Sequence, residues 1–150
     1  MFNSTDATST VFSVGTHGST NASGSTYVAY CFAPITGFSS INSYTGNGNA
    51  DGVFQYLGFK PAWVMIKKTS GTGSWWMFDN KRLGYNPSNS RLYANDTASG
   101  ATATVIDFLS NGFKFRSDDG ELNASGGTYV YIAFASSPLV GSNNVPANAR

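Results

Sequence analysis

The sequence predicts an all-β protein: an antiparallel β-sandwich, jelly-roll-like, of about ten short strands. Three observations carry this. Runs rich in β-branched and aromatic residues alternate with Gly, Asn, Ser and Pro turns at roughly 8–12-residue spacing. No segment sustains the 3.6-residue apolar period of a helix. A strand-length phrase also occurs twice, as Asn21 to Ala33 and as Asn123 to Ala135, with Asn, Ala, Ser, Gly, Thr, Tyr, Val, Phe and Ala coinciding at a constant offset of 102 positions.

Taken in order, residues 1–8 are a polar, flexible arm. Val11-Phe12-Ser13-Val14 is a short strand candidate, followed by a turn through Gly15 to Gly24. Thr26 to Ala33 has strand composition and ends at Pro34. Both of its alternating faces are largely apolar, which predicts a central strand covered twice, and the second copy predicts the same. Ile41 to Tyr44 is a further strand, ended by the Gly/Asn-rich loop Gly46 to Gly52. Val53 to Leu57 alternates, with Val53, Gln55 and Leu57 on one face and Phe54 and Tyr56 on the other.

Ala62 to Lys68 and Ser74 to Asp79, joined through Ser70-Gly71-Thr72-Gly73, make the strongest local hairpin. Lys81 to Asn89 is irregular, Arg91 to Ala94 a short strand, and Asn95 to Ala98 a loop that suits a brief helical turn. Thr104 to Leu109 and Phe113 to Arg116 pair across Ser110-Asn111-Gly112, with Asn-Gly placed at the bend. Asp118 to Glu121 turns again, Thr128 to Ala135 is the last long strand, and residues 137–150 are a tail.

Composition bounds the function. A chain of 150 residues suits one domain, and folding at that length hides about 68–70% of the unfolded surface. Charged residues are only 11% and the net charge is +1, so no field steers the chain to nucleic acid or an anionic membrane. The one cysteine, Cys31, excludes an intrachain disulfide and reads as a small buried hydrophobe. The start shows neither a basic end nor an apolar run, so no signal peptide is expected, and no run approaches transmembrane length.

Chemistry-bearing clusters are few. The single histidine, His17, lies in a polar turn and is replaced by Asp119 in the second copy, which favours a solvent-facing residue over a general base. Asp118, Asp119 and Glu121 have the oxygen ligands calcium favours, yet the first copy has Thr16, His17 and Ser19 there, so a charged turn is the better reading. Gly46-Asn47-Gly48 precedes a strand rather than a helix and is not a phosphate cradle. Lys67, Lys68, Lys81 and Arg82 read as a solvated strand end. No nucleophile-elbow, paired-cysteine or zinc-helix pattern occurs, and neither cofactor nor metal is expected. Trp75 and Trp76 face opposite ways on one strand, so one enters the core and the other is at least partly open. Trp75, Trp76, Asp79 and Asn80 are therefore the candidate ligand-binding residues, with a sugar ring as the ligand.

Four phrases together carry a resemblance: Asn21 to Ala33, Ser43-Tyr44-Thr45-Gly46-Asn47-Gly48, Gly58 to Lys67, and Asp107 to Phe113. In this order and spacing they resemble a β-rich module, itself of unknown function, that recurs in tandem in tail and fibre proteins of tailed bacteriophages. In such proteins the Gly-x-Thr-Tyr-Val-Ala strand closes one unit and the Ser-Tyr-Thr-Gly-Asn-Gly strand opens the next. On that resemblance residues 9–136 form the β-sandwich region, with 9–33 the closing hairpin of a preceding-type unit and 37–135 a complete unit. The resemblance implies a non-enzymatic virion protein of a tail fibre or tail tip, or alternatively a capsid decoration or head fibre protein, assembled in the host cytoplasm. Its expected partners are copies of itself, as a trimer or lattice, and other virion proteins. A carbohydrate-binding module for host surface glycans is the remaining alternative, with no nucleic acid and no membrane insertion in any of the three.

Overall fold

The computed structural model describes residues 5–82 and 86–137, and the chain divides into two compact units, residues 1–32 and 33–150. The expectations for residues 1–4, 83–85 and 138–150 fall outside the described residues.

The larger unit is a two-sheet β structure, as its alternation predicts. Its strands are β1 (Ser39–Thr45), β2 (Phe54–Tyr56), β3 (Pro61–Lys68), β4 (Trp75–Asp79), β5 (Asn89–Tyr93), β6 (Ala101–Ala103), β7 (Ile106–Leu109), β8 (Gly112–Phe115) and β9 (Thr128–Ala135). A six-stranded sheet has the order β1-β9-β3-β4-β5-β6, a three-stranded sheet the order β2-β8-β7, and every pairing is antiparallel.

The core lies between the sheets. From the large sheet come Tyr44, Tyr129, Tyr131, Ala133, Val64, Ile66, Trp76 and Phe78; from the small one come Ile106, Phe108, Phe113 and Phe115. Tyr44 stacks on Tyr129 at 4.8 Å between ring centroids, and Phe113 meets Tyr131 edge-on at 5.3 Å, geometries that aromatic quadrupoles favour. The strand β9 is the hinge of the fold: β1 pairs one of its edges and β3 the other.

Three expectations change. The β7–β8 bend is Ser110–Asn111, because Leu109 pairs directly with Gly112. Gly112 is itself the first residue of β8, and a Cβ there would overlap the Gln55 carbonyl oxygen of β2. Asn95 to Ala98 forms no helical turn; Asn95 instead accepts the Trp75 amide on Oδ1. Third, Val11 to Ser13 and Thr26 to Ala33 are in no strand, and Val28 and Tyr30 are 79% and 83% exposed. Cys31, expected to be buried, is exposed too. The physical reason lies in the strand inventory: the β1–β3 slot that a strand of this sequence fits is already occupied by β9.

Among its described residues the smaller unit has one helical turn, α1 (Gly18–Asn21), with His17 at its N-cap accepting the Ser19 amide on Nδ1. His17 thus has a definite local role, the same one Asp119 plays by accepting the Glu121 amide on Oδ1.

Candidate interaction surface

The strand β4 sorts its side chains by parity, and this splits the predicted ligand-binding residues. Trp76 and Phe78 point into the core; Trp75, Met77 and Asp79 lie on the opposite, outer face. Trp76 is 3% exposed and its Nε1 donates to Glu121 Oε2 at 2.8 Å. Arg91 lies over its ring at 4.9 Å, and Tyr93 meets it edge-on. Glu121 also accepts the Ser74 amide at 3.0 Å. That backbone bond and the indole bond hold the Glu121 carboxyl below its usual pKa.

Trp75 is 38% exposed and is the open ring of the pair. Asp79 sits on the same face four residues away, roughly 13 Å along the strand. Its carboxylate is engaged by the Lys81 and Arg82 amides and the Arg82 guanidinium. Asn80 donates its amide to the Ala62 carbonyl, and its Oδ1 is buried with no hydrogen-bond partner among the described residues. The structure therefore leaves Trp75 alone at one end of β4, with Trp76 across the sheet and Asp79 and Asn80 at the far end. Asp119 and Glu121 serve the turn and Trp76, and among the described residues no group of His, Cys, Asp and Glu is arranged to hold a metal ion.

The outer face of the large sheet holds a feature that strand-by-strand reading did not find. Register places Ile41 opposite Ile132, Ile132 opposite Met65, Met65 opposite Met77, and Met77 opposite Leu92. Five apolar residues thus form one row across five neighbouring strands, each of them part-exposed. The next row on one side runs Ser43, Val130, Lys67 and Trp75; on the other, Phe134, Trp63 and Asp79. Trp63 and Phe134 stack at 5.7 Å, with Phe38 edge-on to Phe134. Each strand contributes one member of the apolar row, so no single segment betrays it; only the pairing register assembles it.

Fold and surface together define an all-β, two-sheet protein with an apolar outer face. The chain belongs to the family described as Domain of unknown function (DUF7483), which matches residues 1–138 and so takes in both copies of the repeat. No curated protein and no solved structure matches it.

Proposed function

We propose that this chain is a non-enzymatic structural protein that works by packing against copies of itself, as a module of a tailed-bacteriophage particle. A tail fibre or tail tip is the first placement and a capsid decoration the alternative. The observation that carries the assembly reading is the row Ile41–Ile132–Met65–Met77–Leu92 with its aromatic borders. An antiparallel sheet facing water ordinarily presents polar side chains there, and a contiguous apolar patch marks an interaction site. A second copy suits the patch as its occupant: Asp79 at one end is already paired by Arg82, so the row offers a partner apolar side chains rather than an open charge. A facing copy with its strands reversed lays one apolar row on its like across a two-fold axis. The phage placement is supported by the four phrases that resemble the tail-protein module, and with it go a virion location and virion partners.

Sedimentation velocity of the full chain across the micromolar range tests this. The wild-type chain is expected to sediment as an oligomer, and Met65→Glu or Met77→Lys to reduce it to monomer with its unfolding transition intact. A wild-type chain that stays monomeric throughout overturns the reading. Trp75 favours a second reading, attachment to a host surface glycan, because an open indole offers a stacking plane. Glycan-array binding that Trp75→Ala abolishes without loss of fold supports it; a flat array for the wild-type chain ends it.

A further inference from the structure

The two copies of the repeat share more than sequence. In the second, the amides of Leu122 and Asn123 donate to the Asp119 carbonyl, and those of Thr20 and Asn21 donate to the His17 carbonyl in the first. Gly127 donates to the Ala124 carbonyl as Ser25 does to that of Ala22. The Tyr129 hydroxyl accepts the Ala124 amide at 2.8 Å and donates to the Gly120 carbonyl at 3.0 Å; the Tyr27 hydroxyl accepts the Ala22 amide at 2.9 Å and donates to the Gly18 carbonyl at 2.6 Å. Asn123 Nδ2 donates to the Ser117 carbonyl, Asn21 Nδ2 to that of Gly15. Gly126 and Gly24 turn at φ 70° and 75°, a left-handed conformation that glycine adopts without strain. Every one of these pairs is offset by the same 102 positions.

What differs is the company. The second turn receives the loop that follows β1: Asn123 accepts the Asn47 amide on Oδ1, and its Nδ2 donates to Asn47 Oδ1 and the Asn49 carbonyl. The strand after that turn, β9, is zipped on both edges. In the first copy Asn21 is exposed, and Tyr27, Val28 and Tyr30 stand open. Val28 to Cys31 belong to no sheet among the described residues. Among the described residues there are therefore two copies of this turn-and-strand sequence and one slot between β1 and β3, which β9 fills.

We infer that residues 15–33 are a donor element that closes the sheet of another unit of this same fold. Their strand lies between that unit's β1-type and β3-type strands, and their Asn21 turn receives that unit's Gly-Asn-Gly-Asn-type loop. The partner is a unit of the same kind whose slot is vacant, because a complete unit fills its own slot with β9. Strand addition suits this element: the turn is already formed, so only the extended segment is ordered on docking. Ala29 stands where β9 has the buried Tyr131, a smaller side chain that the slot takes in at some cost in packing. The inference rests on the repeat and is independent of the outer face of the large sheet.

The test uses the full chain carrying Tyr131→Pro, which breaks β9 and vacates the slot, with a labelled peptide of residues 15–33 as the probe and a peptide of residues 117–135 as the control. Both peptides are expected to bind and to compete with each other, and Tyr30→Pro in the probe to weaken binding by more than about tenfold. Binding of the control peptide alone overturns the inference. Should the Tyr131→Pro chain bind neither peptide, the full chain with Tyr131→Ala, Ile132→Tyr and Ala133→Cys decides. It writes the sequence of residues 26–33 into β9. A cooperative unfolding transition supports the inference, and its absence overturns it.

Discussion

Tyr27 and Tyr129 make the same two hydrogen bonds, yet their surroundings give those bonds different weight. Tyr129 is fully buried against Tyr44, so removing its hydroxyl leaves the part-buried Ala124 amide without its partner, while the Gly120 carbonyl keeps its bond from Lys68 Nζ. Tyr27 is 46% exposed, and water replaces what its hydroxyl offers. Tyr129→Phe is expected to lower the unfolding free energy by about 1–3 kcal/mol, and Tyr27→Phe by less than about 1 kcal/mol, in urea titrations of the full chain. Equal losses would show that the two turns are equally shielded. The same comparison explains what was legible at this scale. That His17 and Asp119 share a position was visible in the sequence; that both accept the amide two residues on was not, because an imidazole nitrogen and a carboxylate oxygen look unlike on the page and act alike as acceptors.

Elements were legible where a local pattern and a local partner coincide. The β3–β4 and β7–β8 hairpins were read correctly because each strand finds its partner within one turn, and alternation along β4 already required one tryptophan in and one out. Thr26 to Ala33 was misread for the converse reason. Its composition is that of a central strand, but strand formation requires a free edge, and nothing local reports that β9 already holds the slot. The β6 strand, Ala101–Ala103, was missed because three small residues carry no alternation. Gly112 shows how a correct pairing was reached through the wrong residue: it is glycine because β2 passes against it, not because it turns the hairpin. Gly112→Ala is therefore expected to push β2 off β8 and to destabilise the chain by more than about 2 kcal/mol, where an ordinary strand glycine would gain from alanine. Thermal unfolding by circular dichroism checks this; an unchanged or raised midpoint would mean that the turn alone sets the choice of glycine.

Across the molecule, stability should follow the sheet order rather than the sequence. Closing β9 between β1 and β3 joins residues 39–45 to 128–135 and brackets every other strand of the larger unit. A strand paired on both edges, with its inner face in the core, opens only when the unit opens. A segment outside any sheet has no such protection, although its sequence nearly repeats that of the protected strand. Native-state hydrogen exchange on the dilute chain is therefore expected to separate the two copies. Amides of Tyr129 to Ala133 should exchange only through global unfolding, whereas those of Val28 to Cys31 should exchange within about tenfold of an unstructured peptide. The turn amides between them make the sharper comparison: Ala22 and Ala124 are each held by a tyrosine hydroxyl, so Ala22 should be slowed relative to Val28 while remaining far faster than Ala124. Equal protection of Val28 and Val130 would mean that the first copy has found a sheet in the isolated chain. Near-identical sequences would then differ in nothing, and the partner that closes over residues 26–33 would have to be sought within the same molecule.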